Sequence, residues 1–283
     1  MGYCAVPTTN RSRLEHPVSR QRTFGRTLSD GMLRRADGML RRASHSVRRR
    51  LSTFTFTAEN FRDPALPHGL SVIDVPVVEA TNETLAGYGR LMSAADEFTV
   101  EKKNFEIVPW PTQGWRSLDP HTGDEAGTTE GPFELHWEGD YFFGHNLAIA
   151  SANNYYLDGL GAVPERASRT EPAADGAYIY LWMSDYHPDG AQLFFPLDEP
   201  AVPFTVCLGL NSHGDDVRPE DMRAFRVPAG KGIYLAPGTW HNGVYIPPEH
   251  APCRFLTRQG RVHARVSCSW ASEFGVLLRV GLR

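Results

Sequence analysis

The chain has only four cysteines, Cys4, Cys207, Cys253 and Cys268, and no two of them stand close together. That excludes a disulfide framework and a CxxC zinc site, and leaves reduced, buried thiols as the expectation. No apolar run approaches the roughly 20 residues of a membrane span, so no membrane association is expected. No repeat period of the solenoid kind is present. Lysine is missing altogether from the first 52 residues, and acid is scarce there: twelve Arg stand against Glu15, Asp30 and Asp37, a net +9. The whole chain of 283 residues carries −4, so residues 53–283 carry −13. A nucleic-acid binder would hold its positive charge on the folded surface. Here the part expected to fold is acidic, and no nucleic-acid partner is expected.

What the first 52 residues do contain is Arg, Ser and a tandem heptad, DGMLRRA at 30–36 and again at 37–43. The repeat sets Met32, Leu33, Met39 and Leu40 against Arg34, Arg35, Arg41 and Arg42, a weakly amphipathic positive helix of transit-peptide type. This reading predicts an organellar enzyme, mitochondrial first, with Arg48–Ser52 (RRRLS) as a processing point or a kinase target. A regulatory tail, or a later start at Met32 or Met39, are the competing readings; cytoplasmic localisation goes with them. In each, residues 1–52 are a disordered basic extension outside the catalytic fold.

From Thr53 onward the chain reads mainly β. One helix is expected over 82–96, with Thr81 as N-cap and Leu85, Tyr88, Leu91 and Met92 as its apolar stripe. Short β-type runs follow at Phe105–Val108, Phe133–Trp137, Tyr141–Phe143, Ala177–Met183, Phe204–Leu210, Gly232–Leu235 and Val262–Trp270. Turn residues between them point to a sandwich or barrel. The polar, Gly-rich run from Pro111 to Gly131 is too long for an ordinary connection and reads as a functional or mobile loop. Residues 53–170 are taken as the N-terminal part of the body and 171–283 as its β-core.

Two clusters can carry chemistry. In Asp185-Tyr186-His187-Pro188-Asp189-Gly190-Ala191-Gln192, residues 185 and 187 share one face of a strand, and the Pro/Gly break can re-aim Gln192 into the same pocket. In Gly230–Asn242, a short strand ends in a Pro237-Gly238 turn that throws His241 forward in a fixed direction.

The second cluster is similar to the second motif of the cupin barrels, with HPDGAQ in the place of the first. The combination HPxGxQxFxP (His187, Gly190, Gln192, Phe194, Pro196), the tripeptide Arg223–Phe225 and TWH at 239–241 resembles the ureidoglycolate lyase family, over about Ile179 to Trp270. The chain departs from that pattern at Asn242, where the family has a second His, and in an insert around Lys102–Arg169. The resemblance implies a cupin-type β-barrel (jelly roll) with a few helices, a homodimer, and cleavage of ureidoglycolate to glyoxylate and urea.

That substrate is a hemiaminal, and its cleavage needs a base at the hydroxyl, a proton for the departing nitrogen and a partner for the carboxylate. His187, His241 and Gln192 are the catalytic candidates. With Asp185 they also form a mixed N/O set for a divalent ion, Ni, Mn, Co or Zn, which would act as a Lewis acid; no organic cofactor is expected. Arg223, Lys231 and Arg261 are candidates for the carboxylate, with Arg226 and Arg258 nearby. Tyr234 and Trp240 would be pocket wall or core, and Asp119, Glu125, Glu130, His136 and His145 of the insert could supply a second half-site. The alternatives are a cupin enzyme acting on another small hydroxy- or oxo-acid, and a non-catalytic cupin that binds small carboxylates.

Overall fold

A computed structural model describes residues 64–93, 114–119, 130–147, 155–163, 176–188, 190–259 and 264–283. The basic extension, the expected strand Phe105–Val108, most of the Pro111–Gly131 loop, Glu125 and Arg261 lie outside the described residues.

The chain is mostly β, and its strands form facing sheets of the kind expected for a cupin. Ten strands make the large sheet. In spatial order they are β1 (Ser71–Asp74), β16 (Val276–Gly281), β7 (Tyr178–Leu181), β6 (Tyr155–Leu160), β5 (Tyr141–Asn146), β4 (Glu130–Glu138), β14 (Cys253–Arg258), β9 (Gln192–Pro196), β12 (Gly232–Leu235) and β3 (Gly89–Met92). A four-stranded sheet packs over it, ordered β13 (Val244–Tyr245), β10 (Phe204–Leu208), β11 (Arg223–Val227) and β2 (Val77–Glu79). A third pair joins β8 (Met183–Tyr186) to β15 (Val266–Ser269). Among the described residues the arrangement is a sandwich of open sheets; no sheet closes into the barrel that the cupin resemblance implied.

Alternation fills the space between the sheets. In β14, Cys253, Phe255 and Thr257 are buried while Arg254 is exposed, as a half-covered strand requires. Phe255 meets Phe204 of the smaller sheet edge-on, with ring centroids 5.0 Å apart. Phe142 meets Tyr245 across the same gap at 5.6 Å. These side chains belong to one continuous apolar core with Trp240 and Trp270.

The helix expected over 82–96 does not form among the residues described there. Residues 82–88 make a turn in which Leu85 N–H bonds to Thr81 C=O and Gly89 N–H to Leu85 C=O. Gly87 then takes φ +88, a left-handed conformation that ends a helix. Gly89–Met92 instead pair with β12 as an antiparallel strand. The reading Gly232–Leu235 matches β12 end to end, whereas Ala177–Met183 divides into β7 and β8 around Trp182.

Candidate active site

The two motif clusters are joined by backbone. Asp185 N–H donates to His241 C=O and His241 N–H donates to Asp185 C=O, both at 2.8 Å. Beyond β8 the chain reaches His187, turns through Pro188 and Gly190, and re-enters the large sheet at Gln192, opposite Leu235 of β12. Beyond β12 it turns at Gly238, whose φ of +74 suits glycine. Thr239 closes that turn onto Ala236 C=O at 3.1 Å and anchors it by donating its hydroxyl to Tyr88 C=O at 3.0 Å. The Pro-Gly turn therefore fixes His241, as its sequence suggested.

His187, Gln192 and His241 are each buried, at 3%, 4% and 4% exposure, and they converge. Gln192 Oε1 lies 3.0 Å from His187 Nε2 and 2.5 Å from His241 Nε2. The two imidazole centroids are 5.0 Å apart. On the far side of each ring, Nδ1 meets a backbone carbonyl: Ala264 C=O at 3.0 Å for His187, Thr239 C=O at 2.7 Å for His241. A carbonyl only accepts, so both Nδ1 atoms carry hydrogen, and a ring in its neutral form turns its Nε2 lone pair toward the amide. Burial, helped by the facing His187, pushes the His241 pKa down to about 3 and keeps that ring neutral.

Of the two orientations of the amide, one satisfies these atoms directly and the other needs a cation. With the NH2 of Gln192 turned inward, one amide nitrogen donates a hydrogen to each ring, since an amide's O and N are assigned from their partners. With the oxygen inward, three lone pairs meet, a neutral donor set that fits a divalent ion, and the backbone carbonyls behind the rings are the usual outer support of such a site. Among the described residues no group of three or more His, Cys, Asp or Glu side chains is placed to hold a metal.

Asp185 does not join the three. Its carboxylate faces Arg265, 3.8 Å from the guanidinium Nε. Arg265, absent from the sequence-derived candidates, follows Ala264, whose carbonyl holds His187. It also binds Asp119 at 3.0 Å. Asp119 accepts from the Ser267 hydroxyl as well. The neighbouring Arg116 is buried and pinned by a two-pronged ion pair to Glu273, at 2.7 and 2.9 Å.

A second buried acid escaped the sequence reading. Asp158 in β6 is 8% exposed, and its Oδ2 has no hydrogen-bond partner among the described residues. Burial, with the nearby negative charge of Asp185, raises its pKa to about 7, while a bond from Gly243 N–H and the charge of Arg265 oppose the rise. The signal was an acid between Leu157 and Gly159 in an otherwise apolar strand.

The remaining candidates lie apart from the three convergent side chains. Tyr234 points to the other face of β12, because residues two apart in a strand share a face and neighbours do not. There it packs with Met92, Leu193, Phe195 and Leu256, under the Arg90 guanidinium. Trp240 is fully buried core, its indole N–H bonded to Gly214 C=O. Arg223 is exposed at the head of β11, beside Tyr88. Lys231 sits at the start of β12, the opposite end from the His241 turn. His136 of the insert stacks on Phe143.

No curated protein matches the chain. Its residues 152–269 match the model of the family described as ureidoglycolate lyase, which belongs to the cupin superfamily. The matched span contains His187, Gln192, His241, Asp158 and Arg265, so the residues brought together in space are those the family comparison covers. The chain is thus similar over residues 152–269 to the ureidoglycolate lyase family, and its facing β-sheets fit the cupin fold.

Proposed function

We propose that the protein is a carbon–nitrogen lyase that splits ureidoglycolate into glyoxylate and urea. The observation that carries the reading is the convergence of the buried His187 Nε2 and His241 Nε2 on the Gln192 amide. In the reaction the hydroxyl proton of the hemiaminal leaves as its C=O forms, the C–N bond breaks, and the released nitrogen takes up one proton. Atoms balance without water or an oxidant. A neutral imidazole whose Nδ1–H is already committed has only Nε2 with which to take that proton, and the same Nε2 can return it to nitrogen. The anionic substrate favours the imidazolium that forms, offsetting the burial that holds His241 neutral in the free protein.

Arg265 supplies the positive charge that an α-hydroxy acid needs inside an acidic body. Its ion pairs with Asp119 and Asp185 hold the guanidinium beside the strand residue that bridges to His241. Asp158, whose pKa burial raises to about 7, is only partly ionised near neutral pH. If a divalent ion binds, His187, His241 and Gln192 would hold it, and it would polarise the hydroxyl and carboxylate oxygens. A homodimer and a mitochondrial address in residues 1–52 belong to the same proposal.

Product analysis tests it. The full chain incubated with ureidoglycolate should give glyoxylate and urea in equal amounts. Release of ammonia in place of urea would indicate a hydrolase, and no glyoxylate above background would reject the reading.

A further inference from the structure

Strand β14 runs antiparallel to β9, with Phe255 opposite Pro196, Leu256 opposite Phe195, Thr257 opposite Phe194 and Arg258 opposite Leu193. The paired register ends at Arg258; continued one step, it would set Gln259 opposite Gln192. Opposed residues of an antiparallel pair point to the same face, with Cβ atoms about 4.5–5.5 Å apart. Gln259 is thereby placed beside the amide on which the two imidazoles converge. It is 4% exposed, and its Oε1 has no hydrogen-bond partner among the described residues. Thr257, two residues earlier on the same face, is 0% exposed, and its hydroxyl is likewise without a partner. The opposite face of these strands is an apolar cluster of Met92, Leu193, Phe195, Tyr234 and Leu256, so the polar row belongs to the pocket side alone.

Buried polar groups are nearly always bonded, and an unbonded pair in one row calls for an explanation. An unpaired amide oxygen is an acceptor waiting for an N–H. A carboxylate brings only acceptors of its own, whereas a ureido group brings several N–H donors. We propose that Gln259, with Thr257 behind it, is the subsite for the uncharged, N–H-rich end of the ligand, with the carboxylate end directed toward Arg265. The subsite follows from the register and burial; that its occupant is the ureido group of ureidoglycolate rests on the lyase reading.

Two volume-conserving variants of the full chain test the subsite, Gln259→Met and Thr257→Val. Each removes a buried polar atom that lacks a partner, so each should melt higher than the parent by a few degrees; a lower melting temperature would show that the atom is already bonded and would overturn the proposal. N-carbamoylglycine, which keeps the ureido group and carboxylate but lacks the reacting hydroxyl, should bind Gln259→Met about 10- to 100-fold more weakly than the parent. Glyoxylate, which has no ureido group, should bind both equally. Equal weakening of the two ligands, or of neither, overturns the subsite. If the parent makes no glyoxylate from ureidoglycolate yet binds N-carbamoylglycine through Gln259, the lyase reading falls and the subsite stands.

Discussion

At the scale of single residues, burial decides which groups carry charge. Asp158 has a folded pKa of about 7 against an ordinary 3.8. The stability gained by keeping it protonated is full below about pH 4 and is lost as pH rises through 7. Asp158→Asn keeps an acceptor for Gly243 and does not titrate. The melting temperature of the parent should therefore fall, relative to this variant, between about pH 4 and 7; parallel curves would show that the carboxyl is not held as described. His241 has the opposite sign. Its depressed pKa gives stability that is present above the ordinary 6.5 and is lost as pH falls toward 3. Gln192→Leu removes the amide that both imidazoles face, and steady-state kinetics should show kcat on ureidoglycolate reduced by about 100-fold or more.

At the scale of elements, two glycines separate stability from positioning. A Cβ at Gly89 would lie well inside contact distance of the Tyr234 backbone carbonyl. Gly89→Ala should loosen β3 from β12 and cost about 1–3 kcal/mol by chemical denaturation, with a smaller proportional effect on kcat. Gly238 holds φ +74 in the turn before His241, and a Cβ there would meet Asn211, its Cβ at 3.3 Å and its Nδ2 at 4.0 Å. Gly238→Ala should cost about 1 kcal/mol and lower kcat by up to about 100-fold, because His241 moves with the turn. The same two elements show what was legible in the sequence. The Pro-Gly turn could be read because its residue types dictate its backbone. The helix over 82–96 could not be maintained: an apolar stripe at helical spacing was there, but Gly87 ends the turn and Gly89 lets a neighbouring strand approach.

At the scale of the whole molecule, the site is assembled by pairing between distant segments. His187, Gln192 and His241 stood out because turn residues flank them, and the Asp185–His241 bridge unites their two clusters. Asp158, Gln259 and Arg265 did not stand out, since each owes its place to a strand neighbour remote in sequence or to a chain return that carries no local motif. Tyr234 was close in sequence yet faces away, a consequence of strand alternation. The mainly β character was visible throughout, while the division into open facing sheets depends on which strands pair. Arg265, the cation proposed to meet the substrate carboxylate, is one that composition alone could not single out. The central claim is that the convergent pocket performs the cleavage, and glyoxylate production by His187→Ala and His241→Ala, each compared with the parent at saturating ureidoglycolate, tests it most directly. The account predicts that each variant melts cooperatively and loses about 100-fold or more in kcat; glyoxylate formed by either variant at the parent's rate would contradict it.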